Sequence, residues 1–196
     1  MRVIRILFIA IGVLFLFYSC KENYTPKARA YFRINYPEHE YLPYSNPCGF
    51  SFELPVYAIV EPDKSKEAEP CWYNIIYTPF RAILHLSYKE ISDEENFYEL
   101  AGDARDFVYR HTVKASEISE ILINNDHKLG GVLYELEGNT ATTVQFFITD
   151  STENFLRAAL YFDVKTNRDS LDPVIEFLKN DIKKMINSFQ WSEKTK

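Results

Sequence analysis

General acid–base chemistry near neutral pH would have to come from four histidines, His39, His85, His111 and His127. Glu38, His39 and Glu40 place metal-ligand types side by side. In a strand, however, the two acids point away from the histidine, and in a helix adjacent positions diverge. His85 lies in an alternating apolar segment with Ile83 and Ser87 on its face. His111 closes a helical segment, where a cation is favourable, and His127 sits in a polar loop after Asn124 and Asn125. Thr149, Asp150, Ser151 and Thr152 offer hydroxyl nucleophiles, yet Asp-Ser-Thr is ordinary hairpin material. No G-x-S-x-G elbow, H-E-x-x-H helix, phosphate loop or C-x-x-C pair is present. The residue pattern therefore supplies no catalytic, metal or cofactor site.

Cysteine is more informative. Arg2 and Arg5 precede an unbroken apolar run over residues 6–18, followed by Ser19, Cys20 and an abrupt change to Lys21, Glu22 and Asn23. The run, about 13 residues, matches a signal-peptide core and is too short to span a hydrocarbon layer of ~30 Å as a helix. Basic, apolar, small and cysteine in that order is similar to a bacterial lipobox, although Phe17 and Tyr18 depart from its usual residues. This predicts a signal peptide over residues 1–19, cleavage before Cys20, and acyl chains on Cys20; an uncleaved membrane anchor is the alternative. Either would hold the domain on a membrane from outside the cytoplasm.

With Cys20 assigned to lipid, Cys48 and Cys71 remain. An even remainder in an exported chain points to one disulfide; two free buried thiols are the other reading. Closing a loop of about 22 residues would contribute roughly 3 kcal/mol. That loop carries Pro55, Pro62 and Pro70 and a charged run over residues 61–67, so it has little else to hold it.

The formal charge is −6, and losing Arg2 and Arg5 with the signal leaves −8 on the mature part. An acidic domain has no electrostatic case for nucleic acid or anionic headgroups. Several acyl chains, at about 0.8 kcal/mol per buried methylene, would supply the membrane affinity instead.

The elements that would position these residues follow from periodicity. Residues 20–47 form a lipidated start, a short tether and a Tyr/Pro-rich strap, containing Tyr24, Tyr31, Tyr36, Tyr41 and Tyr44 among prolines that forbid a long helix. The strap is read either as packed on its own domain or as an aromatic docking surface. Residues 48–196 read as one domain. Alternating segments begin at Gly49, Val56, Cys71 and Arg81. Residues 92–112 switch to helical spacing, with Phe97, Leu100, Ala101, Ala104, Phe107, Val108 and His111 on one face. Residues 114–123 lean to strand. Gly130 and Gly131 read as a turn before a meander of three strands, 132–137, 140–148 and 155–162. A final helix is capped by Asp172 with Pro173 at its first position, and turns Val174, Ile175, Phe177, Leu178, Ile182, Met185, Ile186 and Phe189 inward. The order predicts an α+β fold, an antiparallel sheet of six or seven strands flanked by helices, like the PsbP/Mog1-type α/β/α sandwich.

Several stretches carry a family resemblance. They are Pro26-Lys-Ala-Arg-Ala-Tyr-Phe-Arg-Ile34, Tyr36-Pro-Glu-His39, Cys48-Gly-Phe-Ser-Phe-Glu53, Glu69-Pro-Cys-Trp72, His85-Leu-Ser-Tyr88 and His111-Thr-Val-Lys-Ala115. Gly138-Asn139, Val144-Gln-Phe-Phe-Ile-Thr-Asp-Ser151, Phe155-Leu-Arg-Ala-Ala-Leu-Tyr-Phe162 and Asp172-Pro-Val-Ile-Glu-Phe-Leu178 complete the set. Together they resemble the gliding-motility lipoprotein GldD family of Bacteroidetes. The resemblance implies a membrane-anchored, non-catalytic accessory of the gliding machinery, which is tied to type IX secretion. It implies partners among other envelope lipoproteins of that machinery, GldJ first, and names no catalytic residue. A contact surface would lie on the strap or on the 145–161 hairpin. The expected address is the periplasmic face of the outer membrane, with the inner membrane second. The competing expectation is an envelope hydrolase or small-ligand binder, with His85 or Asp150 converging on a deep polar pocket against the sheet.

Overall fold

A computed structural model describes residues 33–125, 129–164 and 168–192, with backbone alone at 168 and 169. Residues from Asn35 onward form one compact unit. Two antiparallel sheets and two helices make up this unit, so the fold class is α+β.

The larger sheet has seven strands: β3 (Ala58–Pro62), β4 (Tyr73–Tyr77), β5 (Ala82–Glu90), β6 (Ala115–Asn124), β7 (Gly130–Gly138), β8 (Thr142–Thr149) and β9 (Asn154–Phe162). Their order is β3-β4-β5-β9-β8-β7-β6. The meander β7-β8-β9 thus lies inside both edges with β8 flanked on each side, which agrees with the burial of every residue of β8. Gly130 and Gly131 belong to β7 itself rather than to a turn before it. A Cβ at Gly131 would stand 2.1 Å from the Phe147 carbonyl oxygen, so only glycine permits that approach.

Helix α1 (Glu94–Tyr109) begins with Asp93, whose carboxylate accepts the backbone N–H of Asn96 at 2.8 Å. Its Ala104 and Val108 pack against Tyr134, Leu136, Phe147 and Phe155. Helix α2 (Arg168–Ser188) meets the opposite face, since Lys179 contacts Glu135, which alternation places across the sheet from Tyr134 and Leu136. The layers are therefore α/β/α. Ile175, Leu178, Ile182 and Met185 are almost fully buried under this second helix.

Two boundaries differ from expectation. The last helix starts at Arg168, a turn before the Asp172-Pro173 pair, so Pro173 lies inside it and forfeits one backbone hydrogen bond. The strap also contributes a strand. β1 (Tyr41–Asn46) pairs with β2 (Phe50–Pro55), which pairs in turn with the two-residue β10 (Gln190–Trp191). Phe189 stacks on Phe50 and Phe52, and Trp191 meets Phe50 and Phe189 edge-on, in this small sheet. Cys48 and Cys71 are bonded, tying the end of that sheet's hairpin to the segment entering β4.

Candidate functional site

The histidines and the hydroxyl loop have structural partners. His85 Nδ1 lies 2.6 Å from Asn74 Oδ1, and burial holds its pKa below the usual histidine value, against a weaker opposing pull from Asp63. Asp150 closes the β8–β9 hairpin: its carboxylate accepts the backbone N–H groups of Thr152, Glu153 and Asn154. Burial opposes its ionisation, but those bonds and the Asn154 side chain outweigh it and keep the carboxyl below the ordinary range. Glu90, five residues along β5 from His85, pairs with Asn154 beside Asp150. The two candidates thus stand about 16 Å apart along the sheet, too far to act on one reacting group. His111 follows α1 in a turn and is no favourable cation, because burial and then the charge of Arg157 lower its pKa. Cys20 and His127 lie outside the described residues.

His39 takes a role the local sequence does not show. Its Nδ1 is 2.8 Å from Oδ1 of Asp181, a fully buried carboxylate on α2. The Tyr41 hydroxyl donates to the same oxygen at 2.8 Å, and the Tyr57 hydroxyl donates to the other. Phe177, one turn earlier on α2, stacks on His39 at 4.3 Å and on Tyr36 at 4.6 Å. Strap, β2–β3 turn and helix are thus tied through one acid. Burial, then hydrogen bonding to Asp181, raises the phenol pKa values of Tyr41 and Tyr57 above the usual 10.0. Glu38 and Glu40 do not join His39 as ligands, and no group of three or more metal-ligating side chains occurs among the described residues.

A second buried polar group joins α2 to β7. Lys179 Nζ lies 2.7 Å from Glu135 and 2.8 Å from Glu176, and Lys183 reaches Glu135 at 2.9 Å. The charges balance, and this network is complete in itself.

Two further features remain open. One is a cleft of about 290 Å³ between α1 and strands β5 and β9, walled by Trp72, Leu100, Ala104, Phe107 and Phe155, with Arg157 at its base. The other is the outer strand β6. Among the described residues it has a neighbour on one side only, and it exposes Ile121 (43%) and Leu122 (83%); Val113, just before it, is 92% exposed. Within the 145–161 hairpin, β8 is buried along its whole length, and exposure is confined to the loop at 150–153 and to parts of β9. A larger groove, about 410 Å³, crosses the small sheet, where Lys184 already pairs with Glu53.

No helix among the described residues is long and apolar enough to cross a membrane. The solution structure of cyanobacterial PsbP (CyanoP) from Synechocystis sp. PCC 6803 is similar at 14% identity and a TM-score of 0.45, covering 79% of this chain and 94% of that one. No curated protein matches the chain. A family model described as gliding motility lipoprotein GldD matches residues 21–191, nearly the whole of the segment that follows Cys20. Over that length the match is decisive: the chain belongs to the gliding motility lipoprotein GldD family.

Proposed function

We propose that this family member is a non-catalytic, lipid-anchored contact module of the gliding machinery, acylated at Cys20 and linked to type IX secretion. It stabilises other envelope lipoproteins of that machinery, a GldJ-type protein first, at the periplasmic face of the outer membrane. The observation that carries the reading is the β6 edge. Along the ten residues of β6, alternate residues turn backbone groups away from β7, with no strand beside them among the described residues, next to exposed Ile121 and Leu122. Glu117 and Glu120, charges of the kind that blunt such an edge, stand within residues 115–120, whereas residues 121–124 carry none. An extended segment of a partner can add to it through main-chain hydrogen bonds, with Ile121 and Leu122 supplying apolar anchors. Asp181, Glu135 and Asp150 support the non-catalytic part, since each spends its carboxylate on structural donors.

A clean deletion should abolish gliding or secretion, and Cys20→Ala should release the protein from the membrane fraction. Normal gliding and secretion in the deletion would end the proposal. Recovery of an unmodified Cys20, or of intact residues 1–19, in the mass spectrum of the native protein would end its anchoring part.

A further inference from the structure

Arg157 is the one part of the α1 face that packing does not explain. It projects from β9, and its guanidinium stacks on Phe107 with 4.4 Å between the charged carbon and the ring centroid. One terminal nitrogen donates to Gln145 Oε1 at 2.7 Å, while Nε is buried with no hydrogen-bond partner among the described residues. Gln145 Nε2 is likewise buried and unpartnered. No carboxylate forms an ion pair with this guanidinium among the described residues. Lys89, also on the cleft, is neutralised by Glu69, and Asp103 stands exposed on the rim. Leaving a half-buried charge uncompensated is costly, and Met or Leu could fill the same volume without that cost.

We propose that the cleft between α1 and strands β5 and β9 binds a small organic carboxylate, whose anionic end meets Arg157 and whose apolar body lies on Phe107, Leu100 and Phe155. A planar carboxylate matches the terminal nitrogens of the guanidinium fork, whereas Nε is itself sealed from solvent. The walls are hydrocarbon and aromatic, so the rest of the ligand is apolar. A single negative charge fits better than a phosphate dianion, because Arg157 is the only unneutralised cation on the lining and Asp103 repels additional charge. The volume, about 290 Å³, lies at the low end for small-molecule sites, which limits the ligand to about the size of a substituted aromatic acid. Burial also lowers the pKa of Arg157, and its charge depresses that of His111, as expected for a cation without an acid beside it.

The test uses the full chain, nitrogen-15 labelled, in nonionic detergent, titrated with benzoate and, separately, with its neutral isostere benzamide. Proton–nitrogen spectra follow the Arg157 Nε–H and the backbone amides of Ala104 and Phe107. Benzoate should shift these signals saturably and bind about tenfold more tightly than benzamide, the usual advantage of a charge-assisted bond. Arg157→Gln should remove that preference. Ser87→Phe, which fills the cleft and keeps the guanidinium, should abolish both responses. Should either variant fail to fold, the benzoate and benzamide titrations of the unaltered chain decide alone. Equal binding of the two probes, no saturable shift at Arg157, or undiminished benzoate binding by Arg157→Gln would overturn the proposal.

Discussion

Replacing Asp181 by alanine tests whether one buried acid holds the strap to the domain. The side chain is fully buried and serves His39, Tyr41 and Tyr57 at once. Hydrogen bonds to a charged acceptor contribute about 1.5–3 kcal/mol each, and removing one member of a buried charged group costs about 3–5 kcal/mol. His39 keeps 38% of its side-chain surface in solvent and can turn to water, so its loss is recovered in part. Tyr57 must leave its hydroxyl poorly paired between Tyr77, Phe80 and Phe177. Weighing these, Asp181→Ala should cost about 3 kcal/mol, and Asp181→Asn, which keeps an acceptor oxygen and the volume, about half of that. Urea unfolding of the full chain in nonionic detergent, followed by tryptophan fluorescence, measures both. Adding Tyr57→Phe to Asp181→Ala should cost almost nothing further, because the two groups act as a unit. A loss under about 0.5 kcal/mol for Asp181→Ala, or additive effects in the double variant, would refute the reasoning.

Alkaline pH should destabilise the fold. Burial, followed by the influence of Asp181, raises the phenol pKa of Tyr41, Tyr57 and Tyr77 in the folded state. The native state therefore holds protons that the unfolded chain releases, so this stability is complete below about pH 10 and lost as pH rises past it. Urea midpoints between about pH 8 and 11 should fall at the upper end, and fall less steeply in Tyr57→Phe; a flat profile would contradict the assignment. Reduction of the Cys48–Cys71 bond, or Cys48→Ser with Cys71→Ser, should lower stability by about 3 kcal/mol, the cost of freeing that loop in the unfolded chain. An unchanged midpoint after reduction would show that the loop is held by other contacts.

Much of this architecture is legible in the chain because its central elements are locally consistent. The meander strands alternate, their turns carry Gly138-Asn139 and Asp150-Ser151, and α1 has both an apolar face and a capping Asp93. The strap is less legible: Pro43 and Pro47 hide β1, whose pairing depends on β2 rather than on its own pattern. No local motif marks Asp181, although its position is informative. It lies four residues after Phe177 and three after Leu178, squarely on the inward face of α2, and an acid there demands donors. Those donors, His39, Tyr41 and Tyr57, are more than 120 residues away in the chain, so no local pattern connects them. Arg157 is hidden for the same reason, within an apolar strand whose alternation marks it only as a polar member of one face. His111 shows the converse failure, since helical position favoured a cation that Arg157, distant in sequence, disfavours.

The central claim is that a lipid-tethered domain works through its β6 edge, and in-cell photocrosslinking tests it most directly. A photoreactive amino acid would be placed at Leu122 and, as a control, at Tyr98, which is 64% exposed on α1. In gliding cells, Leu122 should give a discrete adduct with another envelope lipoprotein of the gliding machinery, Tyr98 should not, and Leu122→Lys should remove both the adduct and motility. Adducts of equal yield at the two positions, or full gliding in Leu122→Lys, would contradict the account.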